Sequence, residues 1–142
     1  MTRLNTILER EGAESFVLGN LRIRGISAQK PESENGDYDL ITDGPDAHRQ
    51  ARIRVTTRWR TGAKGFICAK FECDFLVVAF LNRGTKDGTG ETSAPQFYVI
   101  PIDVISETPE AQNGNKLYIS NIPKSEDYLD AWHLISSFTQ SR

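Results

Sequence analysis

The feature that most limits how this chain can fold is an unbroken apolar run, Phe75-Leu76-Val77-Val78-Ala79-Phe80-Leu81. When the segment is extended, both of its faces are apolar, which is typical of a central strand that is covered on both sides. The run is far shorter than the ~20 residues that a membrane span needs. The sequence therefore predicts an α/β protein built around a buried central strand, with no membrane partner.

Helical spacing of apolar residues predicts a helix near each end of the sequence. The first helix is expected over residues 3–24, with a kink or an interruption at Gly12 and an end at Gly25. The last helix is expected to begin at a Ser125 cap. It should bury a stripe of four side chains: Leu129, Trp132, Ile135 and Phe138.

Turn residues divide the middle of the chain into five predicted strands. Segment 66–74 is ambiguous, with a short helix as one interpretation, and a short strand is predicted within an otherwise irregular 107–123. The order of elements predicts one domain over 1–142, an α/β/α sandwich around a mixed central sheet. The expected strands are 26–30, 38–42, 51–59, 75–81 and 97–102, and their expected buried residues include Leu40, Val55, Val77, Phe80 and Val99.

The two cysteines, Cys68 and Cys73, lie five positions apart with no histidine or further cysteine near them. Zinc-ligand spacing is absent, so two reduced thiols near a core are expected. The N-terminal residues contain no apolar signal-peptide core, which favours a cytoplasmic location.

Charge is unevenly distributed, although the net charge is only −2. Residues 31–46 hold six acids and no Lys or Arg, whereas residues 47–71 hold seven bases and no Asp or Glu. Adjacent segments of opposite sign predict neighbouring strands, because opposite charges stabilise a cross-strand pair. The basic segment is interpreted either as the complement of the acidic one or as a track for nucleic acid.

Three local patterns follow one another in an informative order. Gly12-Ala13-Glu14 lies in the first helix, Asp37-Tyr38-Asp39-Leu40-Ile41 on the second strand and Arg52-Ile53-Arg54-Val55-Thr56-Thr57-Arg58 on the third. Their order and spacing resemble the small PD-(D/E)xK nucleases, in the intron-encoded and Holliday-junction-resolvase-like branch. The resemblance covers residues 12–58 and extends more loosely to the later strands. It implies a restriction-endonuclease-like fold with about five strands.

The resemblance also implies a set of site residues. In this family a helical acid and carboxylates on two neighbouring strands hold Mg²⁺, and a lysine two residues past the second carboxylate completes the centre. Glu14 matches the helical acid, Asp39 matches the metal-binding aspartate, and the carbonyl of Val55 can reach the metal. Arg54 stands where the second carboxylate belongs, and Thr56 stands where the lysine belongs.

These two departures predict a vestigial site with no metal. An arginine stays protonated in proteins, so it brings a fixed positive charge to a cation site. The hypothesis is that the Arg54 guanidinium occupies the metal's place and forks onto Asp39, Glu14 or both. The alternatives are a plain cross-strand ion pair between Asp39 and Arg54, and a Glu14 that is simply a helix-surface acid.

The leading hypothesis is thus a nuclease-fold protein that has lost metal-dependent cleavage, has no cofactor, and serves as a nucleic-acid-binding or assembly module. DNA would be contacted through Arg52, Arg58, Arg60 and Lys64. One rival is an active Mg²⁺-dependent endonuclease in which Lys70 or Lys64 replaces the lysine and Glu72 or Asp74 the carboxylate. The other rival is an interaction protein with no nucleic-acid role.

A homodimer is also predicted, because symmetric dimers are the commonest assemblies. Aromatic side chains are enriched in interface cores, which makes Trp59, Trp132 and the segment Phe71–Phe75 the candidates for the dimer contact.

Overall fold

A five-stranded mixed sheet forms the centre of the protein. The computed structural model describes residues 6–32, 36–68, 72–85 and 89–140. Its strands lie in the order β1-β2-β3-β5-β6, with β3 and β5 parallel and the other neighbours antiparallel. The strands are β1 (Ala28–Gln29), β2 (Leu40–Thr42), β3 (Arg52–Arg58), β5 (Phe75–Phe80) and β6 (Gln96–Pro101), while β4 (Gly65–Phe66) belongs to a separate pair.

The apolar run forms the central strand, as predicted. All six residues of β5 are buried, between β3 on one side and β6 on the other. The five side chains expected in the core of adjacent strands are also buried: Leu40, Val55, Val77, Phe80 and Val99.

The sheet separates two hydrophobic cores. Phe75, Val77 and Ala79 face the helices α1 (Thr6–Ile23) and α4 (His133–Gln140). The alternate side chains Leu76, Val78 and Phe80 face a second layer. That layer contains the short helices α2 (Ile102–Ser106) and α3 (Pro109–Gln112), and the antiparallel pair of β4 with β7 (Leu117–Tyr118). The protein is thus an α/β fold with a helix towards each end of the chain.

Helix α1 ends as the sequence predicts but is not interrupted. Gly25 has a φ of 81°, and the amides of Gly25 and Ile26 donate to the carbonyls of Arg22 and Leu21 at 3.0 and 2.9 Å. This is the paired hydrogen bonding of a glycine-terminated helix. The predicted interruption at Gly12 is wrong. A helical glycine costs only about 1 kcal/mol relative to alanine, which the buried face of the helix offsets.

The C-terminal helix begins later than predicted. Residues 125–128 form a 3₁₀ turn, and α4 begins at His133 instead of Ser125. The amide of Asp130 donates to the carbonyl of Phe97 at 2.8 Å, and Leu129 forms a bridge with Tyr98. These contacts hold the chain against β6 in a non-helical conformation. Leu129 is therefore 39% exposed, although the sequence placed it in the buried stripe.

Two smaller differences lie in the second layer. In the described parts of segment 66–74 there is no helix, because Phe66 pairs with Leu117 in the small sheet. The supposedly irregular 107–123 contains α3, whose Thr108 side chain caps the helix by accepting from the amide of Ala111. The Thr108-Pro109 dipeptide is a recognisable helix start that the sequence reading missed.

None of the described helices is long and apolar enough to span a membrane.

Candidate functional site

A cleft of about 390 Å³ opens between α1, the segment that follows β1 and the paired strands β2 and β3. It is lined mainly by charged side chains. The residues that matter for its chemistry are Arg10, Glu14, Lys30, Tyr38, Asp39 and Arg54. Three of the four site positions predicted from the resemblance therefore share one cleft.

Strand register places Asp39 opposite Arg54. Leu40 pairs with Ile53, and the amide of Asp39 donates to the carbonyl of Ile53 at 2.8 Å, so the ladder continues one residue beyond β2. The carboxylate of Asp39 then accepts a hydrogen bond from the amide of Val55 at 2.8 Å. One carboxylate oxygen thus terminates the β2–β3 ladder, which fixes Asp39 at the edge of the cleft.

Glu14 reaches the same cleft from α1. It is only 6% exposed, so it is not a helix-surface acid. Its oxygens lie 3.6 Å from Lys30 Nζ and 4.0 Å from Arg10 Nε. Burial raises the pKa of Glu14 above its ordinary value, and the nearby Asp39 raises it further, while Lys30 and Arg10 act in the opposite direction.

The guanidinium of Arg54 enters the cleft but is not held by a carboxylate. It donates to the backbone carbonyl of Gly36 at 2.6 Å. Within the described ranges, no ion pair joins Arg54 to Asp39 or Glu14. The predicted fork and the predicted cross-strand ion pair are therefore both wrong. The carboxylates already have partners, in the Val55 amide and in the bases beside Glu14, and the Gly36 carbonyl is available to the guanidinium.

Thr56 lies outside the main cleft. It projects from the same side of β3 as Arg54 but lines a neighbouring cavity of about 280 Å³, with Thr6 and Val55. Arg10 lines both spaces, so they adjoin along one side of α1. The fourth predicted site position is therefore next to the other three and does not share their cleft.

Two cleft residues were missed by sequence reasoning. Arg10 could have been found from its spacing, because Arg10 and Glu14 are four apart on one helix face. Lys30 carries no such signal, since only the β1–β2 pairing brings it towards Glu14.

The donor set of the cleft does not fit a divalent metal ion. Mg²⁺ prefers several oxygen ligands, but the described lining of the cleft offers two carboxylates among three bases. At ~4 Å and an effective dielectric of about 20, a guanidinium repels each unit of metal charge by about 4 kcal/mol. No cluster of three or more His, Cys, Asp or Glu able to hold a metal occurs in the part of the chain that the structure describes.

A solved structure of a bacterial homing endonuclease, I-Ssp6803I, is similar to the whole of this fold. The TM-score is 0.64 over 94% of this chain and 93% of that chain, at 21% sequence identity. The protein has a restriction-endonuclease-like fold. No protein-family model and no curated protein matches the sequence. At this identity the likeness extends to the fold alone.

Within this restriction-endonuclease-like fold, the four bases predicted to contact nucleic acid differ in their exposure and in their hydrogen bonding. Arg52 is engaged by Asp74, whose carboxylate accepts from the Arg52 amide at 2.8 Å and from Nε at 3.2 Å. The hydrogen bond with Asp74 raises the pKa of Arg52. Arg58 is half-buried at the end of β3, whereas Arg60 and Lys64 are exposed.

Among the replacement residues named for a rearranged active site, those that the structure describes do not reach the cleft. Lys64 and Glu72 are exposed outside it, and Asp74 pairs with Arg52. Lys70 lies outside the described residues.

Both cysteines are free and buried, in line with the expectation of thiols near a core. Burial, with Cys68 nearby, raises the pKa of Cys73 to about 12. This thiol is therefore neutral and a weak nucleophile at ordinary pH.

The raised pKa of Glu14 makes the free energy of unfolding depend on pH. Because its pKa is higher in the folded than in the unfolded protein, its contribution is fully present below about pH 4.3. It is lost as the pH rises through the folded value, when the cleft must hold a buried charge. We expect the free energy of unfolding to fall less with rising pH in Glu14→Gln than in the parent. Urea unfolding across a pH series measures this difference.

The matched control is Glu11→Gln, an exposed acid on the same helix, which should leave the pH dependence above about 4.3 unchanged. An unchanged profile in Glu14→Gln would mean that Lys30 and Arg10 fully compensate the buried carboxylate.

Proposed function

We propose that this is a nuclease-fold protein that has lost metal-dependent cleavage and acts as a nucleic-acid-binding module. The observation that carries the proposal is the position of Arg54. Its guanidinium lies in the cleft with Glu14 and Asp39, tied to the Gly36 carbonyl. A fixed positive charge thus stands among the acids that would otherwise attract a metal ion.

The cleft is suited to a phosphate group of a nucleic-acid backbone. Among the described lining residues, three bases outnumber two acids, which gives these residues together a net charge of +1. Arg54 has five N–H donors, of which one is used for Gly36. Lys30 and Arg10 contact Glu14 at distances of 3.6 and 4.0 Å and retain further donors. A phosphate oxygen can accept hydrogen bonds from these free donors without any metal.

Outside the cleft, Arg58 lies at the end of β3, and the exposed Arg60 and Lys64 follow it along the chain. These three bases would add a local positive surface for a nucleic-acid backbone. Arg52 contributes less because its charge is largely balanced by Asp74. The whole chain carries a net charge of −2, so attraction to a polyanion must come from this local surface.

The proposal predicts metal-independent binding that depends steeply on salt. We expect fluorescence anisotropy with a labelled DNA duplex to give an affinity that is no higher in Mg²⁺ than in EDTA at equal ionic strength. Each phosphate contact contributes about 0.9 to the slope of log K against log salt. Arg58→Gln combined with Arg60→Gln should therefore lower the slope by up to ~1.8.

The control for this pair is Lys124→Gln, an exposed base outside β3, which should leave the slope unchanged. DNA cleavage by the parent that requires Mg²⁺ and disappears in Asp39→Ala would contradict the proposal and favour a working endonuclease. No binding at 50 mM salt would favour the interaction protein without a nucleic-acid role.

We also propose that the protein is a homodimer, although most of the aromatic residues first considered for its interface are unsuitable. Trp132 is 1% exposed and Phe75 is 4% exposed, so both belong to the core. Phe71 lies outside the described residues. Trp59 is half-buried at the end of β3 and remains a candidate.

A further inference from the structure

Helix α1 carries a second, exposed apolar face. Its buried face presents Ala13, Val17 and Leu21 to the core. The ring of Phe16 stacks on that of the core residue Phe97, with centroids 5.4 Å apart, so Phe16 lies at the border of this second face. Apart from Ile7 (54%), which lies on another side of the helix, the exposed large apolar side chains of α1 are Leu8 at 61%, Phe16 at 51% and Ile23 at 80%. Gly12, Ser15 and Gly19, all exposed, lie between them. We call these six residues the outer stripe of α1.

The outer stripe lies on the side of α1 away from the core, with Phe16 at its border against Phe97. At about 100° per residue, its six members fall within roughly 100° of the helix circumference, on the side away from Val17. From Leu8 to Ile23 it extends roughly 22 Å along the axis. A helix with apolar stripes on two opposite faces is expected to be covered on both of them.

The outer stripe has a similar order of large and small side chains in both directions along the helix. Its midpoint falls between Ser15 and Phe16, and its members pair at equal distances from that point. Leu8 matches Ile23, and Gly12 matches Gly19. A two-fold axis through the midpoint would bring like-sized groups together in these two outer pairs, and would set the small Ser15 against the large Phe16 in the central pair. Such an arrangement is compatible with a symmetric interface. A Cβ built on either glycine meets no atom within 4 Å, so nothing in the described chain uses this space.

Charge along α1 favours an antiparallel arrangement. The described N-terminal half carries Glu9, Arg10, Glu11 and Glu14, and the C-terminal end carries Arg22 and Arg24. Glu11 and Arg22 lie on the same flank of the outer stripe, since they are separated by about three helical turns. In an antiparallel pair about this midpoint, Glu11 lies roughly 3 Å along the axis from Arg22 of the partner subunit, whereas a parallel pair brings acidic ends together. In each subunit the Arg22 guanidinium also donates to the Ala28 carbonyl of its own chain at 3.0 Å.

We propose that the outer stripe of α1 is the homodimer surface, with α1 of a second copy packed against it in the antiparallel direction. The inference rests on the proposed self-association and not on the proposed nucleic-acid binding. Arg10 and Glu14 lie on the other side of α1, so both clefts stay open in such a dimer. The acidic N-terminal half of the helix argues against an anionic membrane as the occupant.

The test is sedimentation equilibrium of the full chain. We expect a dimer, and we expect Ile23→Glu to raise its dissociation constant at least ~100-fold, because two buried charges would replace two apolar contacts. The matched control is Ile67→Glu, which places the same charge at a side chain that is 62% exposed next to β4. This control should dimerise as the parent does.

A second pair of variants excludes misfolding as the cause. Gly12→Leu and Gly19→Leu add side chains where the single subunit has open space and where leucine favours the helix. We expect each variant to keep the parent's circular dichroism and melt no lower as a monomer, yet to lose dimerisation. Dimers that persist in Ile23→Glu and Gly12→Leu would overturn the proposed surface.

Other outcomes separate this inference from the proposed function. A parent that stays monomeric at high concentration would overturn the outer stripe as a dimer surface and leave nucleic-acid binding to be judged by anisotropy. Binding of a monomeric parent to anionic vesicles, lost in Ile23→Glu but not in Ile67→Glu, would make the stripe a membrane contact instead. DNA binding per subunit should survive in Ile23→Glu.

Discussion

Replacing Arg54 by Glu and Thr56 by Lys is expected to raise the protein's affinity for Mg²⁺ and its metal-dependent nicking of DNA above those of the parent. The change at position 54 turns a cleft with three bases and two acids into one with two bases and three acids, so its net charge moves from +1 to −1. Three carboxylates would then line the cleft: Glu14 on α1, Asp39 next to β2, and the new side chain at position 54 on β3. Several carboxylate oxygens at one place are the ligands that hard divalent cations prefer.

The two substitutions should separate into distinct effects. Arg54→Glu alone should produce metal binding, measured by isothermal titration calorimetry, with little nicking of plasmid DNA. Thr56→Lys alone should produce neither, because the Arg54 charge remains in the cleft. Thr56 lines the adjoining cavity, so a longer lysine side chain is needed to reach towards the cleft from that position.

Arg54→Ala is the control for simple loss of the guanidinium. It removes the positive charge and the hydrogen bond to Gly36 but supplies no new oxygen ligand. We expect metal binding weaker than in Arg54→Glu. Circular dichroism must show that each variant folds, since the Gly36 contact joins β3 to the segment before β2.

Two results would contradict the vestigial-site interpretation. Metal-dependent cleavage by the parent, abolished in Asp39→Ala, would show that the present residues already form a working centre. A folded double variant that binds no metal would mean that Glu14 and Asp39 are not the remains of a metal site.

The sheet and the grouping of Asp39 with Arg54 could be predicted because strand periodicity is strict. Along β3 the alternation of Arg52, Arg54 and Thr56 with Ile53 and Val55 leaves one register that buries the apolar set. Once that register is fixed, the positions opposite each other on β2 and β3 follow. The same logic correctly placed the five buried residues on neighbouring strands.

The hydrogen-bond partners within the cleft could not be predicted in the same way. Arg54 is bound by the carbonyl of Gly36, and Asp39 by the amide of Val55. Backbone groups occur at every residue, so no side-chain pattern marks these two. Lys30 was missed for a related reason, because its distance from Glu14 depends on how β1 pairs with β2.

The C-terminal region shows how a tertiary contact can override a helical pattern. Leu129, Trp132, Ile135 and Phe138 have helical spacing, but a hydrogen bond from Asp130 to Phe97 keeps the first part of the segment out of the helix. Trp132 nevertheless enters the core, just before α4 begins. Sequence periodicity identified the buried residues Trp132 and Ile135 correctly while placing the start of the helix eight positions too early.

Trp132→Ala is expected to reduce the free energy of unfolding by about 3–5 kcal/mol, the usual cost of emptying a buried tryptophan site. The ring is 1% exposed, its centroid lies 5.8 Å from that of Phe97, and the Arg24 guanidinium lies 5.7 Å from it. Chemical denaturation should show this loss. Leu129→Ala is the control, because Leu129 is 39% exposed and its truncation should cost far less.

Trp132→Phe should lose much less than Trp132→Ala, for a reason that is specific to this site. The indole Nε1 is buried without a hydrogen-bond partner in the described structure. A buried unsatisfied donor costs about 1–3 kcal/mol. Removing it should therefore offset part of the stability that is lost because the smaller phenyl ring packs less well. A role at a dimer interface would give a different pattern: Trp132→Ala would dissociate the dimer while lowering subunit stability no more than Leu129→Ala does. Sedimentation and denaturation of the same three variants distinguish the two roles.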